Sequence, residues 1–447
     1  MAGPDRTLAL VGGTLIDGTG APPVANAALL VEGNKIAYAG PAAPGAVPAG
    51  AQLIRIDGKT VLPGLIDSHL HITASSGGQA SPAEYTPEAR AARLRSFLKF
   101  GVTSVMDMGA NAFLDQVKSD LASGALLGPR LWGVKFGITA PGSHPIGLGR
   151  ELRLADRRGE SQIMEVDTPE AGRAAVRRAA SEKPDALKIY HTRTEFPGTS
   201  CFDCNLEKMK PEVLKAVVDE AHVQGLRVFC HIAWPSEARE AVEAGVDGLA
   251  HTITHAESRA QEVFDLMAEK GVLLQTTLTR MEGYFAFHLD PFLRERLRGL
   301  VPDAVLDSLA LPNSIARRRN DDPAIVADAR RILEIAMANV GRAHRAGVTI
   351  ALGTDSGAPG HIHGAAVPRE MELLHRCGLT PMQAIEAATK NAARSIGVAD
   401  SLGTLEAGKL ADAIVVDGDP LRDIAKIRKL ALVIKDGAVL DPKGIDL

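Results

Sequence analysis

The sequence predicts an α/β protein: a (β/α)8 TIM barrel with a small β-sandwich domain formed from both chain ends. Three observations predict it. Apolar strands alternate with amphipathic helices from about residue 61 to about residue 400. Short strand-and-turn runs fill the two ends of the chain. Histidine and aspartate recur where the middle strands end, and barrels of this kind keep their chemistry at those ends. The expected boundaries are 1–62 and 403–447 for the two parts of the sandwich and 63–402 for the barrel.

A chain of 447 residues is long enough for one large domain and a smaller one. Hydrophobic residues make up 45% and charged residues 23%, the balance of an ordinary globular protein. A net charge of -4 lacks the basic face that nucleic acid requires. No apolar run reaches the length of a membrane span. The opening Met1-Ala2-Gly3-Pro4-Asp5-Arg6 lacks the charge-then-apolar pattern of a signal peptide. Four cysteines in so long a chain do not form a disulfide framework. The expectation is a cytoplasmic homo-oligomer with a small-molecule substrate and no nucleic-acid or membrane partner.

Taken in order, residues 7–62 read as short strands. Leu8-Ala9-Leu10-Val11 and Ala28-Leu29-Leu30-Val31 are broken by Gly12-Gly13, Asp17-Gly18-Thr19-Gly20 and Glu32-Gly33-Asn34-Lys35. The barrel begins with Leu65-Ile66-Asp67-Ser68-His69-Leu70-His71. Side chains alternate along a strand, so His69 and His71 face the same way and can offer two imidazoles to one ion.

Further strands follow glycines that end helices: after Gly101, Gly225, Gly245, Gly271 and Gly347. Strands before Lys188 and near 131–136 bring the count to eight. Pro211 opens a helix that places Val213, Leu214, Val217, Val218 and Ala221 on one face, and Thr86-Pro87 opens one that buries Leu94, Phe97 and Leu98. Two stretches, about 137–165 and 277–325, exceed simple connections. The second carries Arg280, Tyr284, Phe285, Phe287 and His288, and reads equally as a lid or as packing. After residue 400, Ala413-Ile414-Val415-Val416 and Leu432-Val433-Ile434 return to strand composition and pair most economically with the N-terminal strands.

Six residues form the candidate constellation: His69, His71, Lys188, His231, His251 and Asp355. Imidazole and carboxylate suit Zn²⁺ or a similar divalent ion. Lysine as an ammonium cannot ligate. In an apolar, metal-rich site its charged form is disfavoured, and a neutral amine can combine with CO₂ to give a bridging carbamate.

These residues resemble the amidohydrolase superfamily, and within it the binuclear prolidase-like, imidazolonepropionase-related subgroup. Leu62-Pro63-Gly64-Leu65-Ile66-Asp67-Ser68-His69-Leu70-His71 is similar to its metal motif. Gly353-Thr354-Asp355-Ser356-Gly357 is similar to its final ligand motif, and Gly403-Thr404-Leu405-Glu406-Ala407-Gly408-Lys409 to its C-terminal signature. The resemblance implies that His69, His71 and Asp355 hold one ion and His231 and His251 the other. Carboxylated Lys188 and a hydroxide would bridge the two. Zn²⁺ is the expected metal, with Co²⁺ or Mn²⁺ as alternatives. The mechanism implied is hydrolysis by the bridging hydroxide, with Asp355 as base and then acid. His144 resembles a substrate-contacting histidine after the third strand. Tyr190 and Arg193 follow Lys188 and suit a substrate carbonyl or carboxylate.

Several residues invite other readings. His251-Thr252-Ile253-Thr254-His255 has the spacing of a zinc-protease helix but lacks its glutamate. His255 then reads as a supporting residue, and His361-Ile362-His363 as a substrate-side or structural loop. Cys201-Phe202-Asp203-Cys204 has no second pair, and Cys230 reads as a buried small residue. The leading function is cleavage of an amide bond in an N-acyl amino acid or dipeptide. An ester, lactone or organophosphate hydrolase at the same centre is the alternative, as is a mononuclear cyclic-amide hydrolase or deaminase. A deaminase is expected to carry glutamate where Trp234 stands. A non-enzymatic relative would shed ligands, and this chain keeps all six.

Overall fold

The structure is a computed structural model and describes residues 7–45, 47–72, 86–109, 113–145, 163–194, 206–256, 259–285, 293–358 and 360–447. Cys201, Cys204, Phe287 and His288 lie outside the described residues. Strand Lys59–Pro63 pairs antiparallel with Ala413–Asp417, so that Val61 faces Val415. The first barrel strand, Leu65–Leu70, follows at once. Gly64 sits at the join, where a Cβ would lie 2.2 Å from Thr103 Oγ1. Any side chain there would push the second barrel strand away.

Both chain ends contribute to one eight-stranded sheet. Thr7–Leu15 pairs with Val24–Glu32, Gln52–Arg55 and Lys59–Pro63. Beyond Ala413–Asp417, Leu430–Lys435 and Ala438–Leu440 extend the sheet. Leu10, Leu29, Val31, Val415 and Ile434 form its own apolar cluster. The tail therefore returns to the N-terminal strands, as composition suggested.

The barrel strands are all parallel. After Leu65–Leu70 come Val102–Asp107, Arg130–Gly133, Gly137–Thr139, Leu187–Tyr190, Val228–His231, Gly248–Ala250, Leu273–Gln275 and Ile350–Ala351. The third strand, expected as one run near 131–136, is split. Its first half pairs with the second strand and its second half with the fourth. The ring closes where Leu70 bridges Ser356 and the Ser68 amide donates to Leu352 O at 3.0 Å.

The helices follow their sequence patterns. Pro87–Lys99 starts at Thr86, whose hydroxyl accepts from the Ala89 amide at 3.2 Å, and it buries Leu94, Phe97 and Leu98. Pro211–Val223 buries Val213, Leu214, Val217, Val218 and Ala221. Truncating a wholly buried side chain such as Phe97 to alanine costs about 3–5 kcal/mol. Gly101, Gly225, Gly245, Gly271 and Gly347 all have positive φ, the left-handed turn that frees the chain for the next strand. The described part of the long second insertion is built from short helices, among them Asp303–Ala310 and Ile315–Asp321, and Tyr284, Leu297 and Val301 are buried. Among the described residues no helix is long and apolar enough to cross a membrane.

Candidate metal centre

The candidate residues converge at the C-terminal ends of the barrel strands. His69 is the penultimate residue of the first strand and His71 follows it. Lys188 lies in the fourth, His231 ends the fifth, and His251 directly follows the sixth. Asp355 comes four residues after the eighth. One ligand atom each from His69, His251 and Asp355 lie within 4.8 Å of one another. His71 Nε2 is 2.9 Å from Asp355 Oδ1, and His69 Nε2 is 3.6 Å from it. The His231 ring centre is 4.6 Å from that of His251. The tightest triad therefore draws on both of the ligand sets expected for separate ions.

The residues fit a divalent cation by their hydrogen bonding as well. The Gln275 amide donates to Ser68 O at 2.8 Å and to Ser395 Oγ at 3.1 Å. Its oxygen is thus turned to His69, whose Nδ1 donates to it at 3.1 Å. This leaves Nε2 of His69 as a lone pair, wholly buried and without a hydrogen-bond partner. A buried acceptor left bare costs free energy unless something fills it. His251 Nδ1 is held in the same way by Thr277 Oγ1 at 2.9 Å.

The electrostatics follow from burial. Desolvation holds His69, His231 and His251 well below the usual imidazole range, so they stay neutral and able to ligate. Lys188 is 1% exposed, and burial lowers its ammonium to about 7 against the opposing pull of Asp355. Burial would raise Asp355, but Arg280, His251 and His71 around it hold the carboxyl well below its ordinary value. The Arg280 Nε lies 3.4 Å from Asp355 Oδ2, and both side chains are 5% exposed.

The backbone is strained here. Six described residues other than glycine have positive φ, and three of them are His251, Thr277 and Asp355. Such conformations cost about 1–3 kcal/mol each and persist only where the surroundings enforce them. Asp67 supplies part of that enforcement. It accepts from Thr354 Oγ1 at 2.5 Å, from the Thr354 amide at 3.0 Å and from the His69 amide at 3.2 Å.

The residues expected to meet substrate fall in two places. His144 is buried and stacks on His231 with ring centres 4.4 Å apart, and Tyr190 lies 5.4 Å from His144. Arg193 lies instead over the Trp234 ring at 4.3 Å, 4.0 Å from Glu237. His255 stacks on the same Trp234 ring, with ring centres 4.1 Å apart. His361 and His363 are bonded to the carbonyls of Arg280 and His71 at 2.6 and 3.0 Å, which is a supporting role. Cys230 is wholly buried.

Sequence reasoning passed over Gln275, Thr277, Asp67 and Glu370, and placed Arg280 only in an insertion. A signal existed for two of them. The polar run Gln275-Thr276-Thr277 closes an otherwise apolar strand at the catalytic end of the barrel.

A parallel eight-stranded barrel with buried histidine and aspartate at its C-terminal rim defines a barrel enzyme. The amidohydrolase family model matches residues 60–440, and the chain belongs to that family. It is a hydrolase acting on carbon–nitrogen bonds. The chain is 29% identical to ochratoxinase of Aspergillus niger, over 97% of this chain and 86% of that protein. It is 27% identical to imidazolonepropionase of Geobacillus kaustophilus, over 89% of this chain and 84% of the relative. The crystal structure of a Xaa-Pro dipeptidase with bound methionine superposes with a TM-score of 0.76 at 26% identity, over 98% of this chain and 100% of that one.

Proposed function

We propose that this protein cleaves the amide bond of an N-acyl amino acid or dipeptide at a centre of two divalent metal ions, Zn²⁺ in the first instance. The convergence of His69, His251 and Asp355, with a bare buried Nε2 on His69, carries this reading. His69, His71, His231, His251 and Asp355 would hold the ions, and Lys188, carboxylated by CO₂, would complete the set. When bound, the ions supply water ionised near neutral pH and polarise a carbonyl. The remaining work falls to the protein. Asp355 takes the proton of the attacking water and returns it to the leaving nitrogen, without which an amine leaves poorly. Tyr190 and His144, packed on His231, border the space in which the scissile carbonyl would lie. Arg193, stacked on Trp234, would bond a substrate carboxylate through its planar fork.

The names of the similar proteins support an amide substrate: a Xaa-Pro dipeptidase among the structures, and ochratoxinase and imidazolonepropionase among the sequences. The same reading treats residues 1–62 and 403–447 as a small β-sandwich domain set against the barrel of 63–402, supported by the shared sheet and its separate apolar cluster. A hydrolysis screen with metal supplied tests the function. N-acyl amino acids and Xaa-Pro dipeptides should be cleaved, and their carboxamides much more slowly. Turnover confined to lactones or phosphotriesters would favour the alternative chemistry.

A further inference from the structure

We propose that Glu370 is a positioning residue for the candidate centre, fixing the turn after the seventh barrel strand and, through it, Thr277 beside His251 and Arg280 beside Asp355. The inference rests on the proposed function for the roles of His251 and Asp355. Its geometry stands on its own.

Glu370 lies on helix Ala366–Arg376, 0% exposed. Its carboxylate reaches under the turn and accepts three hydrogen bonds. Oε1 accepts from Thr276 Oγ1 at 2.6 Å and from the Leu278 amide at 2.8 Å, and Oε2 accepts from the Thr279 amide at 2.7 Å. These bonds bracket Thr277 on both sides. Thr277 has φ +53°, a conformation a β-branched residue avoids. Its hydroxyl is the partner of His251 Nδ1 at 2.9 Å. One residue beyond the bracket, Arg280 approaches Asp355 at 3.4 Å. A single buried carboxylate thus determines where two otherwise separate supports stand. Burial raises this acid to about 7, and the bonds from Thr276, Thr279 and Leu278 favour its charged form, which accepts every one of them and carries no N–H to oppose them. The turn is also tied to the segment that follows the eighth strand and leads to Asp355, by the Thr277 amide to Gly353 O at 3.1 Å and Thr279 Oγ1 to Thr354 O at 3.3 Å. These ties set its distance from the barrel, and the Glu370 bonds hold the left-handed residue between them.

Glu370→Gln is the sharp perturbation. Either orientation of the amide sets its NH₂ against a backbone N–H, of Leu278 or of Thr279. Thr277→Val removes only the hydroxyl beside His251 and keeps the branched shape. The test is a double-mutant cycle on the Zn²⁺ dissociation constant, read by competition with a chelator. Each single variant should weaken Zn²⁺ by about 10–100-fold, the usual effect of removing a ligand's hydrogen-bond partner. The double variant should lose no more than about 3-fold beyond the weaker-binding single, because both act through one element. The Co²⁺ absorption of Glu370→Gln should shift in the direction seen for Thr277→Val.

A purely structural glutamate gives another pattern. The unfolding midpoint falls, while the Zn²⁺ constant and the Co²⁺ spectrum stay those of the wild type. That result, or losses in the cycle that simply multiply, overturns the proposal. The same cycle on the unfolding midpoint of metal-stripped protein needs no metal: a shared loss shows that Glu370 and Thr277 act through one turn, as the proposal requires, and summed losses overturn it. A wild-type chain that takes up no metal would therefore defeat the proposed function, while the unfolding cycle still tests whether Glu370 holds the turn at Thr277. Should Glu370→Gln not fold, Thr276→Val takes its place in both cycles, since it removes one of the three bonds and leaves the carboxylate in position.

Discussion

Replacing Gln275 with leucine removes the group that turns His69 towards the candidate metal site. Leucine is close in volume and cannot hydrogen-bond. Gln275 is wholly buried and makes three bonds, to His69 Nδ1 at 3.1 Å, Ser68 O at 2.8 Å and Ser395 Oγ at 3.1 Å. Leaving a buried polar group without a partner costs about 1–3 kcal/mol. The Ser395 hydroxyl can rotate to relieve itself, but the Ser68 carbonyl cannot move without disturbing a barrel strand, and His69 Nδ1 loses the acceptor it has in Gln275. With two groups left without partners, the loss in folding stability should therefore be about 2–6 kcal/mol, a large part of the roughly 5–15 kcal/mol a domain possesses. A second loss is separate from this. Without an acceptor on Nδ1, the His69 ring is free to turn and to change tautomer, and Zn²⁺ affinity should fall about 10–100-fold. Gln275→Glu separates the two effects. It keeps an acceptor for Nδ1 and loses the donors to Ser68 and Ser395. Its unfolding midpoint should drop much as that of Gln275→Leu does, while its Zn²⁺ affinity stays closer to the wild type. Denaturant unfolding of stripped protein and chelator competition measure the two quantities. Wild-type Zn²⁺ affinity in Gln275→Leu would refute the assignment of His69 Nε2 as a ligand oriented by Gln275.

Three other outcomes are expected. Lys188→Ala should lose metal and activity together, with partial rescue by a short carboxylic acid that fills the bridge; full activity in the variant would rule the bridge out. Asp355→Asn keeps an oxygen for the metal but cannot relay a proton, so it should retain much of its metal and lose about 10²–10⁴-fold in kcat; the loss should be larger for an amide than for a matched activated aryl ester, and equal losses would argue against protonation of the leaving group. The folded values of His69, His231 and His251 are lowered by burial, so the folded state refuses protons that the unfolded chain accepts near pH ~6.5. His361 and His363, lowered by burial to about 3, add to this, while Asp67 and Glu370, raised by burial to about 7, oppose it. With five histidines against two acids, the stability of stripped protein should fall on acidification from about pH 6 to about pH 5, by up to about 1.4 kcal/mol per pH unit for each group in excess; a flat unfolding midpoint across that range would contradict this.

Much of the architecture was legible because its signals are local. A glycine that ends a helix is visible as a single residue, and Gly101, Gly225, Gly245, Gly271 and Gly347 all adopt the expected turn. His69, His231, His251 and Asp355 stand out because polar residues close apolar strands, and those strand ends fix where they meet. The supports of the site were not legible for the opposite reason. Glu370 acts on residues 276–279 from a helix about ninety positions later in the chain, and on that helix it looks like any charge beside Met371 and Leu374. Arg280 could be assigned only to a long insertion, because its approach to Asp355 depends on the turn that Glu370 holds. The split of the third strand also has no sequence mark. It arises because Arg130–Gly133 and Gly137–Thr139 serve different neighbours, a fact of register between distant strands.

Metal content measured together with activity tests the central claim most directly. Protein purified without chelator, stripped, and then titrated with Zn²⁺, Co²⁺ or Mn²⁺ should lose hydrolysis completely on stripping. It should regain it as metal is restored, approaching a plateau near two ions per chain, the number expected if His69, His71, His231, His251, Asp355 and the buried Lys188 serve one centre as proposed. Full activity in protein carrying well under one metal ion per chain would contradict the account.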